Sequence, residues 1–258
     1  MRDSRHAVTG WRMAGPAAVV IGGGLAMWQV AVLLLQPPAF LLPSPLAVGN
    51  AILANGPYLA TNARITLGEM LLGLGAGAAA GVAAALMIAR FPSIERFLMP
   101  AIVTTQTLPV FAIAPLLVIW FGFGIGSKVA MAALIIFFPI ASSFHDGLKS
   151  ADRVWLDLAR NWGARPGQTL VKVRLPAALP SLASGLKVAA VLAPIGAVVG
   201  EWAGASGGLG YVMLQANARV QTDLVFACII ILAVTAFLLR LAVASLCDRL
   251  VFWHGETR

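Results

Sequence analysis

Uncharged apolar runs, separated by short clusters of charge, set the rhythm of this 258-residue chain. The first, Ala14 to Leu35, holds 22 residues without a charge, and about 20 suffice for a helix to cross a bilayer. Arg2, Arg5 and Arg12 precede it as they would a secretory signal. The run is nevertheless longer than the apolar region of a signal peptide, roughly 7–15 residues. Gln36-Pro37-Pro38 follows it where a small-residue cleavage site would be needed, so a retained first helix is expected. Met70 to Ala89 gives a second span, and Phe97 to Ser127 has room for one helix and a turn at Gly122, Gly124 and Gly126. Val129 to Phe144 is short, and outward reach of the Lys128 side chain would extend it. A fifth span begins after Pro176 and runs to about Gly200, interrupted by Lys187; the sixth is Leu224 to Cys247, with Arg240 near its end. The pattern predicts an all-α membrane protein of six transmembrane helices. Its single membrane domain covers 14–247, between short termini at 1–13 and 248–258.

Composition agrees and removes the alternatives. Hydrophobic residues make up 60% of the chain and charged residues 11%, with a mean hydropathy of +0.89. A soluble domain carries about 25% charged residues, and disordered chains are poor in apolar residues. The net charge of +8 becomes informative through its distribution. With the N-terminus inside, 13 of the 18 basic residues fall on inner segments, six of them (Lys149, Arg153, Arg160, Arg165, Lys172 and Arg174) on one loop. Outer loops hold only Lys128 and Arg219, with Arg64 near the outer end of span two. This asymmetry places both termini in the cytoplasm. It also accounts for the basic balance without nucleic acid, which would want basic and aromatic residues clustered on a soluble face.

Between the first two spans, five prolines (Pro37, Pro38, Pro43, Pro45 and Pro57) flank the apolar stretch Leu46 to Leu53, predicting a short interfacial helix between turns. Gly73, Gly77 and Gly81 recur every four residues on one face of span two. Such spacing admits a neighbouring helix closely, and packing inside the subunit is preferred to a dimer seam. Cys228 and Cys247 share one span about 28 Å apart, too far for a disulfide.

One inner connection is much longer than the rest. From His145 to Pro176 a short helix is predicted over about Asp152 to Trp162, with Trp155, Leu156 and Ala159 on its apolar face and Arg153, Asp157 and Arg160 on the wetter one. Gly163 is a C-cap candidate, and Pro166 keeps that helix from continuing. A second short helix is expected at about Gln168 to Val173. The loop reads Asp157-Leu158-Ala159, three residues, Gly163, nine residues, then Val173-Arg174-Leu175-Pro176. This resembles the signature of ABC importer membrane subunits: E-A-A, three residues, G, nine residues, I-x-L-P. Asp157, Leu158 and Val173 depart from it but keep charge or apolar character. Leu42-Pro43-Ser44-Pro45, the segment from Pro176 to Ala189, and EWAGASGGLGY over Glu201 to Tyr211 extend the resemblance over most of the chain. It is closest to the branch importing nitrate, sulfonates, taurine and pyrimidine precursors of thiamine.

The resemblance implies a permease subunit in the bacterial inner membrane, with Asp157, Leu158, Ala159, Gly163, Val173, Leu175 and Pro176 forming the coupling element for a cytoplasmic ATPase. It implies three protein partners: that ATPase, a second copy of the chain, and an extracytoplasmic substrate-binding protein. No cofactor is expected on this chain. ATP and Mg would belong to the ATPase, since no G-x-x-x-x-G-K-[ST] phosphate loop occurs here. Gln215 to Asp223, QANARVQTD, resembles the thiamine-pyrimidine permeases more than the others. In such systems the binding protein usually sets selectivity.

Charge at membrane depth suggests function by default. Lys187 could draw an anionic solute, snorkel to the interface or pair with an acid, while Glu201 suits an outer gate or a structural role better than direct ligand contact. Ser206, within Gly204-Ala205-Ser206-Gly207-Gly208, fits both a hydrolase elbow and a rhomboid-like intramembrane protease. A serine nucleophile needs a base, yet His6, His145 and His254 all fall on the cytoplasmic side. No H-E-x-x-H, C-x-x-C or carboxylate cluster supports a metal. A stand-alone secondary transporter is the serious rival, because Pro109, Pro115 and Pro194 could break helices at the midplane.

Overall fold

The computed structural model describes residues 4–107 and 109–255, without the side chains of 4–18, 21, 92, 106–107 and 254–255. Helices are the regular structure of the described residues, with no strand among them. In chain order the helices are α1 (Ser4–Leu35), α2 (Pro45–Ala54), α3 (Gly56–Arg90), α4 (Pro92–Thr107), α5 (Val110–Phe121) and α6 (Ile125–Lys149). They continue with α7 (Arg153–Asn161), α8 (Pro166–Thr169), α9 (Leu175–Gly204), α10 (Leu209–Ala218) and α11 (Thr222–Leu250). A π turn, Leu170–Arg174, joins α8 to α9 in one 39-residue helical run, Pro166–Gly204.

Four runs are long and apolar enough to cross a membrane: Gly56–Arg90, Ile125–Lys149, Pro166–Gly204 and Thr222–Leu250. A fifth is counted if Ser93–Thr105 and Val110–Phe121 form one broken span. These two pieces meet at 101°, where a single helix and a Gly turn were expected. Pro109 caps α5 and marks the break, having no N–H to continue a helical ladder. The Gly turn follows, at Gly122 with φ +77. In the first span, the apolar helix Gly22–Leu35 belongs to α1, while the side chains of Arg5, His6 and Arg12 lie outside the described residues, as do Arg2 and Arg258. The interfacial helix is present as α2, started by Ser44, whose side chain accepts from the Ala47 N–H at 3.2 Å, and by Pro45.

Helix α6 is the axis of the fold. Its Ala132, Ile136 and Ile140 form one buried cluster with Met70 of α3, Ala189, Ala193 and Ala197 of α9, and Leu239 of α11. Small residues bring the three backbones together. A Cβ added at Gly73 would strike the Ala132 Cβ; at Gly77 it would come within 2.9 Å of the Ile136 Cγ2, and at Gly81 within 3.0 Å of the Phe137 carbonyl oxygen. The glycine repeat therefore packs against a helix of its own subunit. From the other side, a Cβ at Gly196 would lie 2.5 Å from the Ala132 Cα and one at Gly200 3.0 Å from the Lys128 Cα.

Lys128 reverses an expectation. Its side chain is 8% exposed and lies 3.4 Å from the Glu69 carboxylate of α3 instead of reaching outward. Gly200 leaves the slot its stem occupies, and the acid on the facing helix compensates a charge that would be costly in a low-dielectric interior. Helix α6 thus starts at Ile125 and ends at Lys149, giving 25 residues where a short span was expected. His145 accordingly lies on this helix, buried, with Nε2 3.4 Å from Glu95 of α4. The two cysteines are free and buried.

Two glycines two residues apart on α3 test the packing. Around Gly75 nothing lies within 4 Å of an added Cβ, whereas Gly77 faces Ile136 and the Ala133 carbonyl. Gly75→Ala should leave the melting temperature in detergent unchanged or raise it, because alanine is the better helix former by up to about 1 kcal/mol. Gly77→Ala should lower stability by about 1–3 kcal/mol through overpacking, read in the same thermal assay.

Candidate functional site

The polar connection after α6 builds a capped helix projecting from the bundle. Asp152 opens α7 by accepting the Val154 N–H at 2.9 Å. At the other end the Ala164 N–H donates to the Ala159 carbonyl and the Gly163 N–H to the Arg160 carbonyl, both at 2.9 Å. These paired bonds are a Schellman closure, in which the residue after the cap turns left-handed. Gly163 fills that place with φ +72, and no atom lies within 4 Å of an added Cβ. The glycine is required by backbone conformation, not by space. Two residues of the sequence motif, Ala159 and Gly163, are therefore the two ends of one helix stop.

Beyond the stop the chain restarts at once. The Arg165 N–H donates to the Gln168 side-chain oxygen at 2.9 Å, and Pro166 occupies the first helical position. The second short helix was expected at about Gln168 to Val173; α8 begins two residues earlier and runs through the π turn into α9 without a gap. Leu158, Ala159, Gly163 and Val173 line one concavity of about 910 Å³ between α7 and this continuation, together with Trp155 and Trp162. Trp155 is 60% and Trp162 80% exposed, so the apolar face expected to include Trp155 leaves that ring open; Leu156, Leu158 and Ala159 are the half-buried members of α7. Asp157 is exposed and makes only a 3.4 Å contact with Arg160, an exposed pair of little energetic weight. Leu175 packs with Leu170 against Ala85, Phe144, Leu148 and Ala178, whereas Pro176 is exposed.

At the opposite end of α9 lies a second polar arrangement. Helix α10 starts inside the bundle, where the first N–H groups of a helix have neither water nor an internal partner. Side chains from two other helices take their place. The Asn62 side-chain oxygen accepts the Gly208 N–H and the Thr66 hydroxyl accepts the Leu209 N–H, both at 2.8 Å. The Glu201 carboxylate accepts the N–H groups of Gly210 and Tyr211. Thr66 in turn donates to Glu201 at 2.6 Å. Gly208, at φ +108, has the backbone freedom this approach needs, and a Cβ there would collide with the Glu201 carboxylate. Asn62, Thr66 and Glu69 recur on one face of α3 at three- and four-residue spacing, a periodic polar signal inside an apolar span. Sequence reasoning passed over it, having singled out only Glu201.

The profile for binding-protein-dependent transport system inner membrane components matches residues 77–251. The chain belongs to that family. A probable ABC transporter permease protein of Haemophilus influenzae is 44% identical over 91% of this chain and 96% of its own. ThiX of Halalkalibacterium halodurans, a formylaminopyrimidine transport permease protein, is 36% identical over 90% and 93%. TauC of Escherichia coli, a taurine transport system permease protein, is 34% identical over 90% and 86%. An inward-facing structure of the MetNI methionine ABC transporter matches with a TM-score of 0.66 at 17% identity, over 76% of this chain and 97% of that one. The chain is thus an ABC transporter permease, a multi-pass inner-membrane protein.

Two further residues of the permease have defined surroundings. Lys187 is 2.8 Å from Asp248 of α11, a half-exposed pair that ties α9 to the last span. Ser206 is exposed beside the α10 start. Among the described side chains the one histidine is His145, and it sits far from that serine: Lys128 packs on Gly200, and His145 lies 17 residues further along α6, about 25 Å away. No base reaches Ser206 from there.

The hydroxyl of Thr66 has one test. Thr66→Val keeps its shape but strands the Leu209 N–H and removes a donor from Glu201. The cost should be about 1–3 kcal/mol, seen as a lower melting temperature, whereas Thr61→Val, at an exposed site on the same helix, should change it by less than about 0.5 kcal/mol.

Proposed function

We propose that this permease is the membrane subunit of an ATP-driven importer, working as a pair of copies with a cytoplasmic ATPase on each and an extracytoplasmic binding protein delivering solute. The observation that carries the reading is α7, a capped amphipathic helix standing off the bundle with Trp155 and Trp162 exposed beside the Leu158–Ala159–Gly163–Val173 concavity. An exposed aromatic pair on a rigid short helix suits a groove on a partner, with rim charges setting orientation. ATP-driven movement of the docked ATPase tilts Asp157 to Gly163, and the continuous helix from Pro166 carries the tilt into the bundle. With α1 and the bent α4–α5 pair each counted as a crossing, the chain has six spans and both termini in the cytoplasm, as the basic-residue bias supports.

For the solute, a pyrimidine precursor of thiamine ranks slightly ahead of taurine, other sulfonates or nitrate, in keeping with the identities of 36% to ThiX and 34% to TauC. Glu201 acts at the outer end by fixing the α10 turn that gates the pathway. Lys187 serves the α9–α11 contact through Asp248 ahead of any role in drawing an anion.

Reconstituted vesicles holding the permease, its ATPase and its binding protein should accumulate solute only with ATP inside the ATPase compartment. Gly163→Trp should insert and assemble yet lose uptake by more than about tenfold. The left-handed position costs an L-residue roughly 1–2 kcal/mol and its side chain crowds the docking face. Gly163→Asn, which tolerates that backbone, should retain more uptake than Gly163→Trp. Normal uptake by Gly163→Trp would refute the coupling role, and uptake without the ATPase would favour a secondary carrier.

A further inference from the structure

A second cavity lies on the other side of the coupling loop from the tryptophans. It encloses about 430 Å³ between the end of α3 and the α7–α8 connection, and its lining includes Leu156, Thr169 and Leu170. Its charged lining residues are three arginines from three different elements: Arg90 in the last turn of α3, Arg160 on α7 and Arg174 at the entry to α9. Among the described residues no carboxylate lines it. Arg160 has the exposed Asp157 at 3.4 Å, but among the described residues neither Arg90 nor Arg174 is paired with an acid. Arg90 instead lies over the Phe91 ring, 5.0 Å from its centroid. Three cations converging on one concavity, two of them without an acidic partner among the described residues, repel one another unless an anion sits among them.

The position of the cavity says which anion. Arg90 ends one helix long and apolar enough to cross a membrane and Arg174 lies near the start of another, and basic side chains at span ends reach for headgroups. The residues adjoining the lining are apolar and open: Met87 is 43%, Phe91 50% and Val171 61% exposed. A soluble phosphate would use the arginines and leave this rim in water. A phospholipid would place its phosphate among the guanidiniums, which match phosphate oxygens two at a time, and lay its chains along Met87, Phe91 and Val171. Basic pockets between spans recognise anionic headgroups by this chemistry.

We propose that the Arg90–Arg160–Arg174 cavity binds the phosphate headgroup of an anionic phospholipid. The lipid bridges α7 to the ends of α3 and α9, so the coupling helix rests against a specific lipid as well as against protein. The site is independent of which solute the permease carries.

The test is native mass spectrometry of the full chain in detergent, titrated with phosphatidylglycerol and, separately, phosphatidylcholine. Phosphatidylglycerol should be retained preferentially, and Arg90→Gln/Arg174→Gln should weaken its apparent affinity by about 25-fold, roughly fivefold per arginine. Arg90→Lys/Arg174→Lys, which keeps charge but not the forked donors, should fall between the two. Arg96→Gln/Arg249→Gln removes the same charge from exposed positions outside the cavity and should leave retention unchanged. Equal retention by wild type and the cavity double variant, or equal loss in the control pair, overturns the proposal. So does displacement of phosphatidylglycerol by millimolar inorganic phosphate, which would mark a free-anion site. Should the glutamine variant fold poorly, the lysine variant and the control pair still decide the outcome.

Discussion

The whole arrangement depends on how closely α6 is gripped by its neighbours. Gly73 from α3 and Gly196 from α9 both close on one residue, Ala132, where a Cβ added at either glycine would collide. Apolar side chains gain nothing by leaving lipid for one another, so helices in a bilayer are held by backbone proximity, close packing and polar contacts. Glycine on α3 and α9 and alanine on α6 make that proximity available along much of the bundle. Leu239 of α11 joins the same buried cluster.

Proximity also makes the buried polar groups tolerable. Lys128 is accommodated inside the bundle because Gly200 gives its stem a slot and Glu69 faces it from the next helix. The same spacing brings Asn62 and Thr66 of α3 within hydrogen-bond reach of the α10 start, where Glu201 joins them. A helix that begins buried among others would otherwise leave donors with no partner, each costing about 1–3 kcal/mol. The glycine turn supplies the backbone shape and the three side chains supply the acceptors. Neither part suffices without the other.

Features generated within a few residues of one another were legible in the chain. The apolar runs, the four-residue glycine repeat, the proline-flanked helix at Leu46 to Leu53 and the loop from Asp152 to Gly163 all announce themselves through local periodicity or local backbone demands. What escaped was non-local. Lys128 read as a snorkelling end residue because its partner Glu69 is 59 positions earlier and nothing near Lys128 reveals it. Asn62 and Thr66 reach partners 146 and 143 residues away. The break before Pro109 was half legible: the proline was seen as a possible breaker, but a 101° bend needs the surrounding packing to be chosen over a mild kink. The π turn at Leu170–Arg174 leaves no mark in an apolar-basic stretch that suits an ordinary helix equally well.

The coupling loop and the buried clamp are opposite ends of one object. Pro166–Gly204 is a single helical run of 39 residues, about 58 Å at the α-helical rise, with the loop concavity at its first turns and Glu201 in its last. In the proposed cycle, force applied to α7 enters through the Gly163 stop and the Arg165–Gln168 restart, which leave little slack between α7 and α8. Leu170 and Leu175 pass part of it sideways into α3 and α6 through Ala85, Phe144 and Leu148. The remainder travels along the helix to Glu201, whose carboxylate holds the first turn of α10. In that proposal a continuous helix with a hydrogen-bonded latch at its far end needs no separate relay between the two ends, because the helix that leaves the loop is the helix whose Glu201 closes the α10 turn.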